Sequence, residues 1–227
     1  RSAWKVSHPA TGSIRIRLLG REVALSNDMP DKATELTDSI RVLVTTQPWG
    51  YRDAANLVTF GRMALLMGAD PKDILDRIYE AAERLQPDLR DIYLAKGDLA
   101  LAKHDYELAA TAYQAGVARF PDDADMHYGL ARAYENGDRS AMLASLDAAL
   151  ERNPRHVPSL LLKADHQIAA EDYREAESLL SEAREINPSS PEAWAYLAAI
   201  AHLRNQPAGE RIAREQALRA WPRNPRV

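Results

Sequence analysis

Six histidines, His8, His104, His127, His156, His166 and His202, offer the widest choice of chemistry in this sequence. An imidazole can ligate a metal or move a proton near neutral pH. No two of them stand in a His-Glu-x-x-His arrangement, the spacing that puts two zinc ligands on one helical face beside a general base. Asp165-His166 and His202 fall in successive helical segments, and a metal or acid/base role would need them to converge. Neighbours on a helix point about 100° apart, which favours the plainer reading of scattered surface and packing residues. There is no glycine-rich phosphate loop and no nucleophile elbow. The chain has no cysteine, hence no disulfide, thiolate nucleophile or cysteine metal site. The sequence therefore predicts no catalytic residue, no metal ligand and no cofactor site.

The elements that would position any site are written in a ladder of prolines. Pro87, Pro121, Pro154, Pro188 and Pro222 are separated by 34, 33, 34 and 34 residues. A unit of that length holds two short helices and a turn, and it cannot bury its apolar face without a neighbour. Five residues before each proline stand Ala82, Gly116, Ala149, Ala183 and Ala217, all small. Eight before stand Tyr79, Tyr113, Leu146, Leu180 and Arg214, and twelve before stand Leu75, Ala109, Met142, Ala176 and Glu210. These offsets share one helical face, where small residues admit a second helix and the Tyr/Leu position fills the gap. Each proline closes its second helix, because it lacks an N–H and disfavours helical geometry in the residue before it. The first helices repeat a small contact at Gly97, Ala131, Ala164 and Ala198, preceded by the bulky Tyr93, His127, Leu160 and Trp194. Ser190-Pro191-Glu192 is a helix start, with a cap, a proline at the first helical position and an early acid.

On these residues the chain resembles the tetratricopeptide repeat family. Ser190 to Pro222, with Trp194, Leu197, Ala198, Ala217 and Pro222, carries the likeness, and so do Asp105-Tyr106, Ala109, Tyr113, Gly116 and Pro121. It covers roughly residues 54 to 222 in five units. The resemblance implies an all-α fold, a right-handed solenoid of helical hairpins, and a non-enzymatic scaffold binding a protein or peptide on its concave face. Three units depart from the pattern: the first has Gly68-Ala69-Asp70-Pro71 in place of the tyrosine turn, the third is one residue shorter at Asn136-Gly137-Asp138, and the last has Glu210 and Arg214 where buried types are expected.

In such an array the first helices line the groove. The resemblance places there Leu94, Asp98 and Leu101; Tyr128, Arg132 and Glu135; Leu161, Asp165 and Ile168; and Ala195, Ala199 and His202. The Lys and Asn with which family members hold a peptide's terminal carboxylate are missing. Leu94, Leu161 and Ile168, if exposed, suit an apolar or amphipathic ligand; the competing reading buries them under the next repeat. Asp88 to Gly97 and Trp194 to Arg204 also resemble, less specifically, repeat regions fused to an MA-type zinc metallopeptidase. That is the alternative: a non-catalytic repeat region of a larger enzyme.

Residues 1–50 read as a separate segment before the array of 51–227. Ile14, Ile16 and Leu18 alternate with Arg15 and Arg17, predicting a strand that turns at Leu19-Gly20-Arg21 into a second strand through Val23 and Leu25. From Asp31, the positions Ala33, Leu36, Ile40, Leu43 and Val44 predict a helix ending before Pro48. The segment reads either as a cap or remnant of a neighbouring domain, or as a docking or dimerising edge. A net charge of −4 argues against a nucleic-acid partner, since phosphate neutralisation needs clustered Lys and Arg. No apolar stretch approaches the ~20 residues of a membrane-crossing helix. The chain starts at Arg1 without a methionine and stops at Val227, just past the last proline, so the expectation is a piece of a longer protein whose uncovered repeat ends could pair as a homodimer.

Overall fold

The computed structural model describes residues 13–46 and 52–219. Every regular element among them is helical. The chain divides into two compact units, Arg1–His104 and Asp105–Val227.

In the first unit, α1 (Ile14–Ser26) packs on α2 (Pro30–Thr46) and on α3 (Ala54–Leu66). A continuous helix follows, made of Pro71–Asp73, a π-helical stretch Ile74–Tyr79 and Glu80–Leu85, together called α4; then comes α5 (Arg90–Ala102). The predicted β-hairpin is therefore corrected: Ile14 to Leu25 form a helix. Ser13 caps it, accepting from the Ile16 N–H, and the buried positions Ile14 and Ala24 with half-buried Leu18 follow helical rather than alternate spacing. Ile16, which the strand reading pairs with Ile14 on one face, is exposed. Gly20, read as a turn, lies inside the helix, where even a Cβ would already touch Leu36 of α2. Ile14, Ile40 and Met63 bring α1, α2 and α3 together in one apolar cluster. The predicted limit at Pro48 lies outside the described residues, as does Pro222.

The π stretch in α4 has a visible effect on the repeat pattern. It inserts one residue into a turn, so the buried face upstream shifts by one: Ile74 is buried where the ladder predicts Leu75, while Tyr79 and Ala82 downstream keep register.

The second unit contains α6 (Tyr106–Arg119), α7 (Ala124–Tyr134), α8 (Arg139–Arg152), α9 (Val157–Ala169), α10 (Tyr173–Ile186), α11 (Pro191–Leu203) and α12 (Pro207–Arg219). Sequential helices pack on one another from α6 to α12, and α9 also reaches α11. Second helices start at aspartates that cap them: Asp105 accepts from the Leu108 N–H, Asp138 from Ala141 and Asp172 from Glu175. Before the caps, first helices end on a residue with positive φ, namely Asp28, Gly68, His104, Glu171 and Asn205. Asp28 in this series shows that α1 and α2 are joined by the same turn as the repeats. The short unit at Asn136-Gly137-Asp138 has no such residue and goes from α7 to the Asp138 cap without it.

The proline-anchored positions do as their spacing predicts. Ala82, Gly116, Ala149, Ala183 and Ala217 are all buried, as are Tyr79, Tyr113, Leu146 and Leu180. In the last unit Arg214 is exposed, and α12 buries Ala213 and Ala217 instead. Six residues after three of the prolines, the first helix donates to the proline's own carbonyl: Tyr93 Oη to Pro87 at 2.9 Å, His127 Nε2 to Pro121 at 2.9 Å and Trp194 Nε1 to Pro188 at 3.0 Å. After Pro154 that position is Leu160, which cannot donate. There buried His156 bonds Asp125 Oδ1 at 3.0 Å and Ser159 Oγ at 2.7 Å, tying the start of α9 to α7.

Side-chain size is matched across the stack. Tyr113 faces Gly129, where an added Cβ would stand inside the phenol ring, whereas Leu146 shares a cluster with Leu162 and Leu180 one with Tyr196. Gly129→Val should therefore lower the second unit's stability by roughly 1–3 kcal/mol, the range of overpacking costs. Thermal melts followed by circular dichroism check this, and pairing the change with Tyr113→Leu should recover much of the loss; an unchanged melting temperature would remove the close contact from the account.

Candidate functional site

The first helices of the second unit, α7, α9 and α11, carry Tyr128 and Arg132, Leu161, Asp165 and Ile168, and Ala195, Ala199 and His202 respectively. Tyr128 is half-buried, with the Arg132 guanidinium 5.9 Å from its ring centre and the His156 ring edge-on at 5.4 Å. Asp165 on α9 lies beside the Tyr196 hydroxyl on α11. Burial, then the Asp165 carboxylate, with Tyr128 and Glu135 nearby, pushes the Tyr196 phenol up to about 12, so it is a neutral donor at any ordinary pH. Tyr128, Arg132, Glu135, Asp165 and Tyr196 form one polar neighbourhood over three helices.

Leu161 and Ile168 are half-buried and packed against the core formed around Leu160, Leu180 and Ile200. Ala195 is half-buried, while Ala199 and His202 are exposed. His202 Nδ1 lies 3.1 Å from Glu210 on α12, and Asp165 faces Tyr196, so the two do not share a centre. In the first unit, Leu94 is half-buried, Leu101 is buried and Asp98 is exposed on α5. Tyr196 was missed by the sequence reading. Its signal was the ladder itself: the position eight before the proline is Tyr113 in one unit and Leu180 in another, and the residue eight after the same proline compensates as Gly129 or Tyr196.

Catalytic chemistry has one constellation to answer for. Asp125, His156 and Ser159 are hydrogen-bonded in a row. A hydrolytic triad needs the carboxylate on Nδ1 and an accessible serine on Nε2. Here the carboxylate is on Nε2, the serine is on Nδ1, and Ser159 is fully buried. The row locks a helix start. Among the described residues no group of three His, Cys, Asp or Glu side chains could hold a metal. None of their helices is long and apolar enough to cross a membrane.

His166 marks a pH-sensitive point. Burial, with the nearby Arg139 charge, pushes its imidazole below the usual range against the opposing pull of Asp165, and its Nε2 is buried with no hydrogen-bond partner among the described residues. The folded state thus takes up a proton less readily than the unfolded chain. Its contribution to stability is full above about pH 6.5, the unperturbed value, and falls as pH drops through the lower folded value. Melting temperatures from pH 8 to 5 should show this decline, and His166→Gln should flatten it; an equal decline in the variant would assign it to other groups.

The sequence matches the tetratricopeptide repeat family in two overlapping stretches, residues 94–155 and 133–200. No curated protein matches it. Several solved structures share the fold. A thermophilic TPR protein from Thermus thermophilus is 20% identical with a TM-score of 0.63, over 75% of this chain and 93% of that one. YrrB, described as a TPR protein with an unusual peptide-binding site, is 15% identical with a TM-score of 0.51, over 80% and 91%. A chain of the APC/C hetero-tetramer Cut9-Hcn1 is 16% identical with a TM-score of 0.66, over 96% of this chain and 42% of its own length. At these identities the likeness is one of fold.

Proposed function

We infer that this chain, which is a tetratricopeptide repeat protein, acts without catalysis by holding a peptide segment of a partner protein on the face formed by α7, α9 and α11. The observation that carries this reading is the polar neighbourhood of Tyr128, Arg132, Asp165 and Tyr196 on first helices, with Glu135 at the end of α7 and exposed Ala199 three residues after Tyr196 on α11. Helix-borne aromatic, cationic and anionic groups at fixed spacing suit the side chains and amides of a peptide. The same groups do not assemble a nucleophile, a general base and an oxyanion site. YrrB, with the same fold, is described as having a peptide-binding site, which lends the reading support by analogy of fold alone.

Such a surface gains its affinity from a few anchored contacts rather than from area. Peptides selected from a random library against the folded chain should lose at least about tenfold in affinity with Ala199→Trp, which fills the face without entering the core, and with Arg132→Glu. Fluorescence anisotropy measures both. Selected peptides that bind the two folded variants as well as the parent would exclude this face.

A further inference from the structure

The turn from α7 to α8, Glu135-Asn136-Gly137-Asp138, brings together a side-chain amide and a main-chain nitrogen that can react with each other. Attack on an asparagine Cγ by the nitrogen of the next residue closes a five-membered ring. Whether it happens depends on the bulk of that next residue, the freedom of the backbone and the access of water.

Only Asn136 meets all three conditions. Asn153, Asn187 and Asn224 precede proline, whose nitrogen has no proton to lose. Asn56 lies inside α3, where helical geometry fixes the backbone, and its Nδ2 is held by Asp53. Asn27 and Asn205 are followed by Asp28 and Gln206, whose side chains crowd the nitrogen, and Asn27 Nδ2 donates to the Val23 carbonyl at 2.7 Å. Asn136 is exposed in a turn, and its successor is a glycine. Apart from the chain neighbours, no atom lies within 4 Å of where a Gly137 Cβ would stand. One hydrogen bond opposes the reaction, from the Gly137 N–H to the Tyr134 carbonyl at 3.0 Å. That carbonyl also accepts from the Asp138 N–H at 2.9 Å, so it keeps a partner when Gly137 lets go.

We propose that Asn136-Gly137 is a site of spontaneous covalent modification, at which the asparagine becomes aspartate and isoaspartate through a cyclic imide. Hydroxide takes the Gly137 amide proton, and the nitrogen's electron pair forms a bond to Asn136 Cγ. The Cγ–Nδ2 bond breaks, and Nδ2 leaves as ammonia with a proton from water. Water then opens the ring at one of its two carbonyls. Breaking the bond from nitrogen to Cγ leaves an ordinary aspartate at position 136, whereas breaking the bond to the main-chain carbonyl routes the chain through the side chain as isoaspartate. Water is consumed and ammonia released, with no oxidation or reduction. Either product puts a carboxylate between Glu135 and Asp138, next to the neighbourhood of Arg132, Asp165 and Tyr196. Isoaspartate also lengthens by one carbon the turn that ends at the Asp138 cap. The chain thus carries a slow, one-way gain of negative charge at that edge.

The test incubates the full folded chain in ¹⁸O-labelled water at mildly alkaline pH, followed by peptide mapping with mass spectrometry and by enzymatic methylation of isoaspartate. Position 136 should lose its amide nitrogen and gain labelled oxygen, while Asn27 and Asn205 stay unchanged over the same period. Conversion should quicken as pH rises, since the attacking nitrogen must lose its proton. Gly137 has room for a Cβ and no positive φ, so Gly137→Val should fold and convert at least about tenfold more slowly, its branched side chain shielding the nitrogen. Asn136→Gln, which would have to close a six-membered ring, should stay unmodified over that period and carries the test if the first variant fails to fold. Asn136 left intact in the folded chain after the urea-unfolded chain has converted would overturn the proposal, because the Tyr134 bond would then hold the turn closed. Conversion of Asn27 or Asn205 at the same rate, or equal conversion in Gly137→Val, would overturn it as well.

Discussion

The stack depends on how the first helix of a repeat takes hold of the proline that precedes it. Tyr93, His127 and Trp194 each reach back six residues to a proline carbonyl, and the bond fixes the angle at which the new helix leaves the turn. A single bond of this kind contributes about 1 kcal/mol, less than the roughly 1.5–3 kcal/mol from burying a Leu-sized side chain such as Leu146 or Leu180. Burial therefore holds the array together, and the proline bond decides its register. Where Leu160 cannot make it, the Asp125-His156-Ser159 row supplies a different tie between the same kinds of element. A constellation that resembles catalytic machinery is accounted for by this structural need.

Acidic residues follow the same logic. Asp53, Asp70, Asp105, Asp123, Asp138 and Asp172 cap helices, so six acidic side chains of the chain serve helix starts. In the second unit Asp165 and Glu135 are acidic groups near Tyr196 rather than helix caps.

The repeat itself was legible because prolines and small residues are read by local sterics that no tertiary context reverses. Ala149 or Ala183 is small for the same reason in the sequence as in the fold. The first helix was not legible in this way. Ile14-Arg15-Ile16-Arg17-Leu18 satisfies alternation, and only the placement of α2 and α3 shows that Ile14 and Leu18, four apart, make the inner face while Ile16 faces out. Tyr196 and His156 were missed for a related reason. Each acts across helices, against Asp165 and Asp125 respectively, and spacing within one helix does not reveal a partner thirty residues away.

The central claim is that the proline carbonyls are held by side-chain donors of the following helix, and His127 tests it most directly, because a carbonyl only accepts. Long-range ¹H–¹⁵N correlation spectra of the imidazole ring should show the neutral form protonated on Nε2, the nitrogen 2.9 Å from the Pro121 oxygen. A neutral ring protonated on Nδ1 would mean that no such bond exists, and the register of the array would need another cause.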